Sequence, residues 1–422
     1  MKYYILIFFI IVSSVFSQER YGRSFGVDIS GTPERDAFYR LRVSEPLTVF
    51  ESKPIYDNMA LIFDDAEVSG GSTASAYYPF RSVISLTVAN ETAGRRVRQS
   101  FRRMSYQPGK SQLFNHTGTI GVPTDGISKY VGMYDDNNGL FFMSANGTIS
   151  VNVRSNVTGS PVTISVPQSK WNIDKVDGTG ITKYSADWSK AQIFIIDYEW
   201  LGVGSVRFGI FIDGAPHYVH KISNFNESDG VYMGTPNLPI RFEIANNGDG
   251  PADSLIQICS SIISEGGQAD IGSPVFVSTG STHVDANVVD SIYAVVGIRL
   301  KAASIDASVK ILSISMLSAT PDDYQWLLYW QPTIAGTFTY SDVANSVIQY
   351  ATGALANTIS AGTVIAGGYV KSSNNAGQVE FNLDKVVAVG SMIDGTPTSV
   401  VLAVMPLSAS LDIYGGIQIL ER

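Results

Sequence analysis

Apolar and polar residues alternate with a period of two from Ser82 to the C-terminus, and turn dipeptides break the pattern at short intervals. Side chains of a strand point alternately to opposite faces of a sheet, so this pattern specifies strands, while the 3.6-residue period of a helix is almost absent. Asn138-Gly139, Asn146-Gly147 and Asp213-Gly214 have the residue types that close two-residue hairpins. Strands are expected over 82–88, 96–106, 110–120, 130–134, 140–143, 148–153, 206–212, 216–222, 238–245 and 254–263. The apolar run 191–196 reads as a strand buried on both faces. After Glu265-Gly266-Gly267-Gln268 the pattern restarts over 288–301, 309–317, 326–330, 336–340, 363–370, 386–390, 399–405 and 411–420. The expected fold is therefore all-β. Residues 18–81 form an extended N-terminal arm, 82–264 a jelly-roll or concanavalin-like (lectin-like) β-sandwich, and 265–422 a second β-sandwich domain.

Composition narrows the function classes. The chain has 422 residues, enough for two or three domains. Only 16% are charged, too few for a long helical or coiled-coil protein. A net charge of −9 argues against a protein that coats nucleic acid. One cysteine, Cys259, excludes a disulfide framework and a multi-cysteine metal site. Its apolar strand-like context, Leu255-Ile256-Gln257-Ile258-Cys259, reads as that of a small buried hydrophobe.

Residues 1–17 carry one cation, Lys2, an uncharged apolar run, and Val15-Phe16-Ser17, which suits a signal peptidase. They read as a secretory signal cleaved after Ser17 or as an uncleaved membrane anchor. Asn-x-Ser/Thr sequons at Asn90, Asn115, Asn146, Asn156 and Asn226 fit that export route, and as glycan carriers they are expected on solvent-facing loops and strand ends.

Two constellations bear on chemistry. Asp197 and Glu199 flank Tyr198 on one strand, so both acids share a face roughly 7 Å apart along the backbone. Such a pair can act as acid and base in glycoside hydrolysis, with Trp200, Trp188 and Trp171 as sugar-stacking rings. Retaining glucanases with a lectin-like sandwich have the pattern Glu-x-Asp-x-x-Glu, and here Ile195 stands where the first Glu belongs. The other reading pairs these acids with Arg207 or Arg241 on a neighbouring strand. The second constellation is basic: Arg95, Arg96, Arg98, Arg102 and Arg103 crowd one segment. Alternation places Arg96, Arg98 and Arg102 on one face, suited to an anionic ligand or to acids of this or a neighbouring subunit. The four histidines have no zinc spacing, and no phosphate-cradling loop is present, so no cofactor is expected. Asp135-Asp136-Asn137-Asn138 reads as a hairpin turn rather than a calcium loop.

Three stretches together carry a resemblance. They are Asp36-Ala37-Phe38-Tyr39-Arg40-Leu41-Arg42-Val43-Ser44; the arginine segment Ala93-Gly94-Arg95-Arg96-Val97-Arg98-Gln99-Ser100-Phe101-Arg102-Arg103 with Tyr106-Gln107-Pro108-Gly109-Lys110-Ser111-Gln112; and Ile196-Asp197-Tyr198-Glu199-Trp200-Leu201-Gly202-Val203-Gly204 with Val206-Arg207-Phe208-Gly209. Thr235-Pro236-Asn237-Leu238-Pro239-Ile240-Arg241 fits the same order. The set resembles virion structural proteins of tailed phages and large DNA viruses. The resemblance implies a particle component: a capsid-associated, fibre-like or attachment protein without a catalytic residue. Its implied partners are other virion proteins, further copies of itself, with a trimer favoured, and glycans. Nucleic acid is not among them, and a membrane is met only during export or through the N-terminal segment. The alternative function is a secreted carbohydrate-binding protein or a glycoside hydrolase using Asp197 and Glu199.

Overall fold

The computed structural model describes residues 34–43, 45–227, 229–371, 378–382 and 389–422. The signal or anchor segment 1–17 and arm residues 18–33 lie outside them, as do residues 386–388 of the strand expected over 386–390.

Strands fall in two groups. The first is β1 Leu47–Ser52, β2 Phe63–Gly70, β3 Thr73–Tyr78, β4 Val83–Val88, β5 Gly94–Ser100, β6 Gln112–Thr119, β7 Ile127–Tyr134, β8 Gly139–Ala145, β9 Thr148–Ser155, β10 Val162–Pro167, β11 Gln192–Tyr198, β12 Ser205–Ile212, β13 Ala215–Ser223, β14 Ile240–Asn246 and β15 Asp253–Ser264. The second is β16 Ser273–Ser278, β17 Val284–Ala286, β18 Tyr293–Leu300, β19 Val309–Ser318, β20 Tyr324–Ile334, β21 Ser341–Asp342, β22 Ile348–Thr352, β23 Ile359–Val370, β24 Gln378–Asn382, β25 Ser399–Pro406 and β26 Leu411–Glu421.

The first group forms an eight-stranded sheet, β13-β12-β11-β6-β15-β4-β3 with β1 on β15, and a seven-stranded sheet, β10-β9-β8-β7-β14-β5-β2. They pack as a sandwich. Phe114, Phe194, Ile196, Phe208 and Leu255 of one sheet meet Val131, Leu140, Phe142, Phe242 and Ile244 of the other in one buried cluster. Each such side chain contributes about 1.5–3 kcal/mol on burial. The second group forms sheets β16-β26-β19-β24, with β17 on β26, and β21-β22-β18-β25-β20-β23. Their core joins Ile311, Ile314, Ile413, Ile417 and Ile419 to Val296, Ile298, Leu328, Trp330 and Leu402. The chain is thus all-β, a jelly-roll-type sandwich followed by a second sandwich. The sheets change between Ser264 and Ser273.

Two of the three turn dipeptides close two-residue hairpins, whereas β7 and β8 are joined by the four-residue loop 135–138 and Gly139 already pairs with Tyr134. Asn146 and Gly147 adopt φ of 50° and 72°, and Asp213 and Gly214 adopt 52° and 79°, the left-handed pair that suits strand twist. Other segments depart from expectation. Residues 47–78, read as part of an arm, supply β1, β2 and β3, because their alternation is short and only the pairing with β15, β5 and β4 makes them strands. The strand expected over 96–106 ends at Ser100. There Phe101 leaves the first sandwich and packs edge-on against Trp330 of the second, ring centroids 4.8 Å apart. Residues 336–340 are not a strand. Phe338 and Tyr340 lie over β18 at Gly297, where a Cβ would come within 2.8 Å of the Phe338 ring and of the Tyr340 hydroxyl.

The sandwiches are tied at the seam. Arg103 donates to Ser391 Oγ at 2.5 Å and the Ile305 carbonyl at 3.2 Å, and Asn237 Nδ2 donates to the Asp306 carbonyl at 3.0 Å.

Candidate functional site

β11 is registered so that Asp197 stands opposite Arg207 of β12, and directly opposed residues share a face. On that face Asp197 Oδ2 accepts from Arg207 Nη2 at 2.5 Å, from the Tyr218 hydroxyl of β13 at 2.6 Å, and from Arg42. Arg42 arrives from the segment 34–43, which lies across the sheet, and also pairs with Glu265. The Arg207 guanidinium sits 4.3 Å over the Tyr218 ring and donates to the Arg35 carbonyl at 2.7 Å. Asp197 is 0% exposed. Burial works against charge on Arg42, but Asp197, Tyr218 and Glu265 outweigh it and raise its pKa. Burial pushes the Glu265 carboxyl up despite Arg42, and burial with Asp197 pushes the Tyr218 phenol up. A cavity of about 510 Å³ opens beside this clamp, between Asp36, Arg40, Arg42, Lys110 and Glu265.

Glu199 lies just past β11, at a tight turn. Its N–H donates to the Ser205 carbonyl at 3.0 Å, and its carboxylate accepts from Ser205 Oγ at 3.1 Å. Burial raises its pKa against those Ser205 bonds. Gly204 is required here, because a Cβ would meet the Glu199 carbonyl at 2.5 Å. Trp200 is half-buried, with its indole N–H on the Met233 carbonyl at 2.9 Å. Trp171 and Trp188 are buried against each other and Phe194, so they are core side chains and not sugar-stacking rings. The reading that pairs Asp197 with Arg207 is the one the geometry shows. Arg241 instead meets Asp136 and Glu243.

The arginine segment does not present one basic face to a partner. Arg96 and Arg98 stand opposite Ile244 and Phe242, on the core side of the seven-stranded sheet. Both pair with Asp65 of β2, and Arg98 reaches across the sandwich to Gln257 of β15 at 2.8 Å. Arg102 falls beyond the end of β5 and donates to the Val49 carbonyl at 2.6 Å. Arg95 occupies the outer face, on Glu243 and Asp136. Alternation held only to Ser100, and it does not tell which face meets the core.

Asp135 caps its own turn, accepting from the N–H groups of Asn137 and Asn138 at 2.8 and 2.9 Å. Among the described residues His283, Asp285 and Asp412 bring three ligand atoms within 4.8 Å of one another at the surface. Asn90, Asn146 and Asn226 are exposed on turns. Asn115 is not at a strand end: it is half-buried in mid-β6, with β11 and β15 paired on either side. Asn156 is half-buried after β9. Cys259 is exposed rather than buried, because a bulge in β15 between Gln257 and Cys259 reverses the alternation.

No protein-family model matches this chain, and no curated protein does. Solved structures align with about half of it. A glycosyl hydrolase family 16 protein from Mycobacterium smegmatis shares 12% identity at a TM-score of 0.34, over 51% of this chain and 100% of that one. A Bacillus licheniformis β-glucanase shares 11% at 0.31, over 52% and 98%. A Bauhinia forficata lectin in complex with GalNAc shares 11% at 0.31, over 53% and 100%. Likeness at this level assigns the chain neither an activity nor a ligand.

The clamp itself was only half visible in the sequence. Arg42, Tyr218 and Glu265 were not singled out as partners of Asp197. The available signal was that Arg42 and Asp197 both stand in the stretches that carry the resemblance to virion proteins.

Proposed function

We propose that this chain is a structural or surface component of a virus particle, exported through a secretory membrane, that works by contact with proteins or glycans and not by catalysis. One observation carries the reading: residues of the stretches that carry the resemblance to virion proteins meet in a clamp whose central carboxylate is enclosed. Arg42, Asp197 and Arg207 come from two of those stretches and bond one another, with Asp197 fully enclosed. A general acid or base must reach the proton it transfers, and an enclosed carboxylate bonded to two guanidiniums and a phenol has no such reach. Residues that bond one another inside the fold hold a shape, and a shape is what a particle component contributes. Contact with copies of itself fits the same reading, a trimer being favoured. Among the described residues β23 is a long edge strand with Val364 and Tyr369 exposed, a template for pairing with another chain.

Mass spectrometry of gradient-purified particles from the source of the gene tests the proposal. The chain is expected at a stoichiometry comparable to other shell proteins, and its absence from the particles overturns the reading. A specific observation favours glycans among the possible contacts. Phe80 is fully exposed on the turn after β3, beside the half-exposed ring of Tyr78. Loss of a glycan-array signal in Phe80→Ala would assign the contact to sugar; unchanged binding would remove this turn from it.

A further inference from the structure

Arg102 is the member of the arginine segment for which the described residues supply no carboxylate. Arg95 has Glu243 and Asp136, Arg96 and Arg98 have Asp65, and Arg103 has Asp135. Arg102 has the Val49 carbonyl. Burial lowers its pKa, and no neighbouring charge offsets that. A guanidinium taken out of water calls for a counter-charge, and this one has room for it. Val49 and Arg102 line a cavity of about 270 Å³ at the seam of the two sandwiches, and Lys310 and Arg422 of the second sandwich line it too. The carboxylate in that lining, Asp270, is shared between Lys310, at 3.2 Å, and Arg422. One acid therefore serves two cations, and Arg102 stands beside them unneutralised.

We propose that this seam is a binding site for an oxyanion group, a sulfate, phosphate or carboxylate, held by the guanidinium fork of Arg102 from the first sandwich and the ammonium of Lys310 from the second. Planar guanidinium forks match two oxygens of such a group at once, and an ammonium completes the neutralisation as a point charge. A neighbouring cavity of about 540 Å³ shares Ser105, Gln268 and Arg422 with the first and adds Lys110. It leaves space for the rest of a molecule whose anionic end sits on Arg102. Because the two principal donors belong to different sandwiches, the bound anion would also bridge them.

The test is isothermal calorimetry on the full chain with sodium sulfate and sodium phosphate, against sodium chloride at matched ionic strength. Saturable binding of at least one oxyanion is expected, weakened about tenfold or more in Arg102→Gln and in Lys310→Gln. Lys310 lies at the partly exposed rim of the site, so its variant remains a test if removal of Arg102 disturbs folding. A sulfated heparin hexasaccharide forms a second arm. Tighter binding than inorganic sulfate, lost in the same variants, assigns the anion to a glycan; equal binding assigns it to a free ion. No saturable binding of any of the three, or the same affinity in wild type and Lys310→Gln, overturns the proposal.

Discussion

In the first sandwich and its covering segments Asp36, Arg98, Arg103, Lys129, Asp174, Asp197, Arg207, Arg241, Glu243 and Glu265 are buried, whereas among the described residues of the second the buried charged side chains are Asp322 and Glu421. Their partners differ as well. The first sandwich sets guanidinium and ammonium groups against carboxylates, as in Arg207–Asp197 and Lys129–Asp253. The second satisfies its two acids with neutral donors: Asp322 takes Ser408 and the Ala409 N–H, and Glu421 takes Ser346 and the Val347 N–H. A buried ion pair adds little net stability over a well-packed apolar pair, because desolvation offsets the attraction. Removing one member costs far more, since the other charge is left buried alone. The two sandwiches therefore share an architecture and differ in how each fails.

The largest expected effect tests that difference directly. Asp197→Asn leaves Arg42 and Arg207 without their shared carboxylate and should destabilise the first sandwich by about 3–5 kcal/mol. The matching change in the second, Leu402→Ala, opens a cavity in a core of aliphatic and aromatic side chains that has no buried ion pair among the described residues, and should cost about 2–5 kcal/mol. Two sandwiches need not unfold as one, so urea titrations followed by peptide-resolved hydrogen exchange are the measurement. Each variant should weaken protection in its own sandwich first. If Asp197→Asn were silent while Leu402→Ala was not, the clamp would be ornament and the comparison would collapse.

A smaller effect, carried by pH, sharpens the same contrast. His116 lies inside the first core against Phe114, Phe194 and Phe242, with Nδ1 on Ser260 Oγ at 2.9 Å. Burial pushes its pKa down to about 3 from an ordinary 6.5. The unfolded chain thus binds a proton between those values that the folded chain refuses, and stability of the first sandwich should fall as pH drops from 6.5 toward 3. Burial lowers His220 too, with the same sign. Asp136 and Asp174 have lowered pKa values, so their contribution is lost only further down, within the carboxylate range. The second sandwich has no histidine enclosed in its core, since His283 lies exposed at the surface. Urea midpoints between pH 7 and 5 for wild type and His116→Phe check this: the variant should flatten the first transition and leave the second alone.

How far these features could be read in advance depended on range. Hairpins at Asn146-Gly147 and Asp213-Gly214 are decided by two residues, and the alternation of β4 or β12 by a handful, so the all-β fold was legible. The pairing of Asp197 with Arg207 was legible as one of two readings, because β11 and β12 are neighbours. Arg42 was not, because it reaches Asp197 across 155 residues of chain, through a segment that is no strand. For Arg96 and Arg98 the shared face was right, but the presence of a core beneath it depends on Asp65 and Gln257, on strands distant in sequence. Arg102 was misplaced because Phe101 ends the strand in favour of the second core.

The smallest effect concerns Cys259, and it traces back to the charges of the first sandwich. Leu255, Gln257, Ser260 and Ile262 of β15 all face inward, which unbroken alternation forbids, since 257 and 260 differ in parity. Gln257 has to face inward to receive Arg98, and Ser260 to receive His116. The bulge between Gln257 and Cys259 reconciles the two and turns the thiol out to solvent. Ellman's reagent should therefore titrate one thiol per native chain, without denaturant, and Cys259→Ser should change stability by no more than about 0.5 kcal/mol. A thiol that reacts only after unfolding would mean that β15 runs without its bulge. Gln257 and Ser260 could not then both serve the interior, and the buried polar network that distinguishes the first sandwich from the second would lose Arg98 or His116 from its connections.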